Sequence, residues 1–221
     1  MAVKYNTSIV RDGLVLYLDA ANPKSYPGSG TTFFNLGSNG INATLVNGPT
    51  YSSNNKGYFI LDGVNDYINT NTDTYNCAQT ISYEFFMKLS TVSENKVLIG
   101  KYDGAAPDMW IGITSGNQYL YAGYYSLTTN FVVTDNIFRH YVITYNSSTN
   151  ETKLYVNGAF HSGTTVSARS NPRGNLMIGK FGTAANNYFP NNLPFIRIYN
   201  KALSATEVKT NFEATRGRFD I

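Results

Sequence analysis

The sequence predicts an all-β fold, a two-sheet antiparallel β-sandwich with one short C-terminal helix, formed by a single domain over residues 1–221. Three observations predict it. The chain carries 18 Tyr, 13 Phe and 19 Gly, residues that suit pleated strands and tight turns. Only 14% of its residues are charged, against about 25% in an average globular domain, so Asn, Thr, Ser and Gly must supply the surface polarity. Roughly a dozen short apolar runs are separated by turn residues, with no repeat period that would indicate a solenoid or propeller.

Residues 1–12 precede the first apolar run and are expected to form an N-terminal arm. Leu14-Val15-Leu16-Tyr17-Leu18 has strand length, and the two prolines and two glycines between Ala21 and Gly30 make the next segment a loop. Tyr58 to Leu61 reads as a strand that turns at Asp62-Gly63 and resumes at Asp66-Tyr67-Ile68, the spacing of a hairpin. Ile81 to Leu89 is a strand with Ile81, Tyr83, Phe85 and Met87 on one face. Val97 to Gly100, Met109 to Ile113 and Gln118 to Tyr125 follow. Arg139 to Ser162 is a three-stranded meander whose second turn, Asn157-Gly158, supplies the positive φ angles of a type I′ turn. Leu176 to Phe181 and Phe195 to Tyr199 are the last strands. Ser204-Ala205-Thr206-Glu207 is a capping box opening a helix over 205–215, with a tail over 216–221.

The lone Cys77 excludes an internal disulfide, and two histidines, His140 and His161, cannot build a His-based zinc site. Cys77 is expected to be a small buried apolar residue, His140 a hydrogen-bonded structural histidine, and His161 a surface residue. Residues up to Phe138 include 7 basic and 10 acidic residues and the remainder 10 basic and 4 acidic, a split of −3 and +6. The excess is spread too thinly for a nucleic-acid interface. Met1 to Gly13 has no apolar segment of a secretory leader, and Leu14 to Leu18, the longest apolar run, is too short to span a bilayer. Neither a nucleic-acid nor a membrane partner is expected.

Several segments resemble the concanavalin A-like jelly rolls of laminin-G or pentraxin type. Asp12-Gly13-Leu14-Val15-Leu16-Tyr17-Leu18-Asp19-Ala20 is similar to that family's first strand. Phe34-Asn35-Leu36-Gly37-Ser38-Asn39-Gly40 resembles its Asp-Leu-Ser-Gly-Asn-Gly segment, and Leu61-Asp62-Gly63-Val64-Asn65-Asp66-Tyr67-Ile68 its Phe-Asp-Gly-x-x-Asp-Tyr-Val segment. Arg139-His140-Tyr141-Val142 with Leu154-Tyr155-Val156-Asn157-Gly158 resembles its meander, and Ile198 to Ser204 its closing strand and helix cap. Two ends, Tyr17 to Thr31 and Val208 to Phe219, resemble a branch found in virion structural proteins of tailed phages. In several branches a carboxylate before the final strand helps to hold calcium; here Pro194-Phe195 occupies that position, and Asn35 replaces another Asp. No cofactor is therefore expected, and Asp62 and Asp66 are the only candidates for a metal.

The hydrolase branch of this fold carries alternating Glu and Asp on one strand, whereas Glu84 stands alone in Ile81 to Leu89, so the paired acids of glycoside hydrolysis are missing and no enzyme is expected. Tyr119, Tyr121 and Tyr125 share strand parity and are assigned mainly to the core. A glycan or partner site is expected in the loops Tyr102 to Asp108, Ser115 to Asn117 and Phe181 to Asn192, using Asp103, Asp108, Trp110, Asn117, Asn186, Asn187 and Tyr188. The resemblance implies a non-catalytic phage virion protein, made in the host cytoplasm without a signal peptide. As a capsid-decorating or tail-associated module, it would dock on major capsid or tail proteins through its loops and tail, and a homo-oligomer is compatible with that role. The alternatives are a lectin-like adhesion module for cell-surface glycans and, after it, a glycoside hydrolase.

Overall fold

The computed structural model describes residues 8–90, 92, 95–104, 108–114, 118–182 and 187–221. The strands run in chain order β1 (Leu14–Asp19), β2 (Thr32–Phe33), β3 (Ala43–Val46), β4 (Thr50–Ser52), β5 (Tyr58–Asp62), β6 (Tyr67–Asn69) and β7 (Ile81–Met87). They continue with β8 (Lys96–Lys101), β9 (Met109–Ile113), β10 (Leu120–Ala122), β11 (Leu127–Thr128), β12 (Arg139–Asn146), β13 (Glu151–Val156) and β14 (Ala159–Thr165). Then come β15 (Met177–Ile178), β16 (Pro190–Leu193), β17 (Phe195–Tyr199) and the helix α1 (Ala205–Thr215). Among the described residues a six-stranded sheet has the order β1-β17-β7-β12-β13-β14 and an eight-stranded sheet β11-β10-β9-β8-β15-β6-β3-β2, with a three-stranded sheet β16-β5-β4 beside them. All pairings are antiparallel.

Period-two alternation sends Ile81, Tyr83, Phe85 and Met87 of β7 into the main core between the sheets, where they meet Leu16, Leu98, Ile111, Ile143, Ile178 and Ile196. Tyr17, Phe86, Val142, Tyr155, Phe195 and Tyr199 point the other way and form a second core under α1, closed by Val208 and Phe219. The six-stranded sheet is thus covered on both faces, and for this reason β7 and β17 are buried at every position, with Ser82, Glu84 and Arg197 as their polar residues.

The helix begins where its capping box sets it: the Glu207 amide donates to Ser204 Oγ at 3.3 Å, and Glu207 Oε2 accepts from the Ser204 amide at 2.9 Å. The Asn157-Gly158 turn has φ of 49° and 76°, as a type I′ turn demands. Asn47, Asn55, Asn71, Asn136 and Asn150 also take positive φ, the left-handed turn conformation that Asn tolerates better than most non-Gly residues. Asn35 seals the free edge of β1. Its Oδ1 accepts from the Tyr17 and Gly37 amides, both at 2.8 Å, and its Nδ2 donates to the Val15 carbonyl at 3.1 Å. An Asp could make the first two bonds but not the third.

Four expectations need correction. Tyr58 to Ile68 is not a hairpin, because β5 belongs to the three-stranded sheet and β6 to the eight-stranded one; local spacing cannot show that the chain changes sheets. The strand over Gln118 to Tyr125 reduces to β10 followed by a 3₁₀ turn over Gly123–Tyr125. Tyr125 therefore does not share the orientation of Tyr121: it is fully buried, with its hydroxyl 3.3 Å from the Cys77 carbonyl. Leu176 to Phe181 contains only the two-residue β15. The 216–221 tail is not free for docking: Arg216–Arg218 forms a 3₁₀ turn, and Phe219 stacks on Phe86 at 4.3 Å. The described part of the N-terminal arm packs on the fold, with the Val10 amide donating to Asn211 Oδ1 at 2.7 Å and its carbonyl accepting from Tyr199 Oη at 3.2 Å.

Candidate functional site

Among the described residues no helix covers the outer face of the eight-stranded sheet in the way that α1 covers its partner. Alternation on β9 buries Met109, Ile111 and Ile113 and turns Trp110 outward, where it meets Tyr121 of β10 edge to face at 5.1 Å. Cross-strand register aligns Trp110 with Gly100, Gly100 with Met177, and Met177 with Asn69. Gly100 leaves room for a close crossing: a Cβ there would lie 2.7 Å from the Lys180 carbonyl and 2.9 Å from Phe181 Cα. The Lys180-Phe181 backbone therefore lies across the sheet beside Trp110. Phe181 stacks on Tyr102 at 5.0 Å with an 8° interplanar angle.

Between these parts lies a shallow cleft of about 170 Å³, lined by Asn95, Val97, Trp110, Phe181 and Asn187. Next to it, Lys180 Nζ sits 4.8 Å from the Tyr67 ring centroid and 5.4 Å from that of Tyr188, a cation–π pairing that orders all three side chains. Of the residues singled out in sequence, Trp110 and Asn187 line the cleft, and Tyr188 flanks it through Lys180. Asp103 instead faces Arg173 at 3.6 Å, and Asp108 is exposed just before β9. Asn117 and Asn186 lie outside the described residues. Sequence reasoning had no residue-level signal for Val97, Asn95 or Lys180; the small Gly100 opposite an outward Trp was the available clue to a crossing segment.

The opposite side of the molecule holds a different constellation. Glu84, fully buried, accepts through Oε1 from Arg197 Nη1 at 2.8 Å, with His140 Nε2 at 3.0 Å from the same oxygen, and through Oε2 from Asn211 Nδ2 at 2.8 Å. Burial pushes the Glu84 carboxyl up, but Arg197, His140 and Asn211 outweigh it and hold it below the ordinary carboxylate range. Glu84 is therefore not solitary, as sequence alone suggested, and His140 has the hydrogen-bonded role expected of it. The signal available in sequence was a lone acid in β7 and a lone Arg in β17, two strands apolar on both faces, where each charge requires the other. Cys77 is buried as expected, with Tyr83 Oη donating to its sulfur at 3.1 Å.

Asp62 Oδ1 accepts from the Val64, Asn65 and Asp66 amides at 2.8, 3.1 and 3.2 Å. Burial raises its carboxyl, and these donors more than offset that, leaving it lowered. Asp66 Oδ2 accepts from the Asp62 amide at 3.3 Å. Both carboxylates thus serve a turn. The positions where the family resemblance places calcium ligands do not fit that ion either: Asn35 is committed to backbone groups, and Phe195 is buried against Phe86 at 5.3 Å. Among the described residues no group of three or more His, Cys, Asp and Glu converges, and no helix is long and apolar enough to cross a membrane.

An antiparallel sandwich with one helix-covered face and one open face is a jelly roll. Residues 62–209 match the family model of the concanavalin A-like lectin/glucanase superfamily, and the chain belongs to that superfamily. No curated protein matches the chain. Among solved structures, a Trypanosoma rangeli sialidase in complex with 2,3-difluorosialic acid is similar, with a TM-score of 0.68 at 15% identity over 93% of this chain and 33% of that one. The binding domain of Paraclostridial Mosquitocidal Protein 1 is similar with a TM-score of 0.65 at 16% identity over 91% of this chain and 52% of that one. The HCR/D W1238A mutant aligns with a TM-score of 0.65 at 17% identity over 92% of this chain and 52% of that one. The chain thus spans about a third of the sialidase and about half of the other two.

Proposed function

We propose that the chain is a non-catalytic carbohydrate-binding module whose ligand occupies the cleft beside Trp110. The observation that carries this reading is the outward Trp110, braced edge-on by Tyr121 and facing Phe181 and Asn187 across the cleft. Aromatic faces take the apolar side of a sugar ring while an amide bonds its hydroxyls, the mix of apolar lining and a few polar groups found in ligand sites. Similarity to a toxin binding domain supports a recognition role. The absence of catalysis is supported by Glu84, whose two oxygens are occupied beneath α1 and cannot serve as one of two facing acids.

Glycan-array screening followed by calorimetry tests the proposal. Trp110→Ala is expected to weaken binding at least tenfold while the circular dichroism spectrum is unchanged. A folded wild-type protein that binds nothing on arrays of neutral and acidic glycans would overturn it.

A finer proposal places the module on a tailed-phage virion, assembled in the host cytoplasm and docked on capsid or tail proteins. Its support is the resemblance of Tyr17 to Thr31 and Val208 to Phe219 to that branch. Because Phe219 is packed in the fold, docking falls to exposed loops. Mass spectrometry of purified particles should find the chain; particles lacking it would sink the assignment.

A further inference from the structure

The buried charges of the six-stranded sheet lead to a second cleft, on the side of the sandwich opposite Trp110. Tyr17, Arg197 and Glu84 are aligned across β1, β17 and β7. Asn211 covers Glu84 from above, and past the C-terminal end of α1 a cleft of about 560 Å³ opens over the sheet. Tyr17 and Arg197 lie at its base, Ser8 and Arg11 line one wall, Thr215 and Arg218 another, and Lys56 completes the rim. Its volume falls within the range of small-molecule sites, about 300–1,000 Å³.

A charge ledger shows what would fill it. Arg197 is paired with Glu84 at 2.8 Å, Arg218 with Asp19 at 2.8 Å, and Glu213 with Arg216 at 2.6 Å. Among the described residues no carboxylate pairs with Arg11 or Lys56, both exposed at the cleft. Removing the pairs leaves these two cations uncompensated. Arg11 is held against the base, its guanidinium 5.6 Å from the Tyr17 ring centroid.

The second observation concerns Arg197 itself. It is only 1% exposed, and Phe195 and Tyr17 approach its guanidinium carbon with ring centroids at 4.1 and 4.7 Å. Among the described residues its buried Nε has no hydrogen-bond partner. The two uncompensated cations stand over this guanidinium, so a ligand that bonds them must bring an anionic oxygen.

We propose that this cleft binds a small oxyanion-bearing ligand, a carboxylate or a phosphate, held by Arg11 and Lys56 above Arg197. The ligand neutralises the two unpaired cations with charge-assisted hydrogen bonds, the stronger class. The site is separate from the proposed glycan cleft, since the two lie on outer faces of different sheets.

Thermal unfolding in increasing inorganic phosphate, citrate, or sodium chloride of matched ionic strength tests the proposal. The wild type should show a saturable rise in Tm with phosphate or citrate and none with chloride, as expected of a ligand that binds only the folded chain. Whichever of the two acts identifies phosphate or carboxylate as the ligand chemistry. In the exposed double variant Arg11→Ala/Lys56→Ala the apparent affinity should fall at least tenfold with the starting Tm retained, and Trp110→Ala should respond as wild type. A rise reproduced by chloride, a rise unchanged in the double variant, or no saturable rise would each overturn the site.

Discussion

The outer faces of the two sheets are built by the same alternation and end in opposite states. Under α1, the six-stranded sheet carries charge where water cannot reach it: Glu84, Arg197, His140 and Asn211 are each 1% exposed or less. Across the sandwich, the eight-stranded sheet carries rings and amides in the open, with Trp110 and Tyr188 half-buried and Lys180 held by rings rather than by a carboxylate. A desolvated charge is retained only when every partner is in place, so the covered face is a matter of stability. An accessible aromatic beside an amide contributes little to folding and much to recognition. Mutations should therefore separate the two faces by their readout.

The largest expected effect is on the covered face. Glu84→Gln keeps the shape of the side chain but leaves Arg197 buried without its counter-charge, a loss of about 3–5 kcal/mol. In a domain of this size that corresponds to a Tm lower by roughly 10 °C, with glycan binding unchanged below the transition. The effect is pH-dependent with a defined sign. Because the Glu84 carboxyl is held lower in the folded protein, it contributes stability above its unfolded-state value of about 4.3, lost as pH falls through the folded value. Urea titrations from pH 7 to pH 3 should show the gap between wild type and Glu84→Gln closing below about pH 4. A gap constant across that range would mean that shape, not charge, holds the network.

Phe219→Ala comes next. Phe219 is 5% exposed and packs on Phe86 and Phe138 with centroids at 4.3 and 4.8 Å, so its removal should cost about 3 kcal/mol. Chemical denaturation measures this directly. A change below about 0.5 kcal/mol, typical of a surface site, would restore the tail as a free docking segment.

The contrast between the faces also explains what sequence could and could not show. Local patterns were legible: β1, β7, the β12–β14 meander, β17 and the capping box follow from residues adjacent in the chain. Partnerships that join distant residues were not. Glu84 meets Arg197 113 positions away and His140 56 positions away, and no period encodes that. Two- and three-residue strands such as β2, β4 and β11 are too short for alternation to register, and β16 begins with a proline and two asparagines, which read as loop. Trp110, Asn187 and Tyr188 were identified by their chemistry, whereas the cleft itself depends on Lys180-Phe181 crossing above Gly100.

The smallest effect concerns the cover itself. Ser204→Ala removes the oxygen that accepts from the Glu207 amide at 3.3 Å and the hydroxyl 3.0 Å from Glu207 Oε2, a cost of about 1 kcal/mol for an N-cap. Lys201 still holds Glu207 Oε1 at 2.7 Å, so the helix should stay docked and merely fray more often. The expected signature is local: faster amide hydrogen exchange over the first turns of α1, where Val208 and Asn211 face the sheet, and no change in β8 or β9 of the open one. Exchange that accelerates equally in both sheets would mean that the lid and the sandwich unfold as one unit, and the covered face could not then be opened without losing the open one.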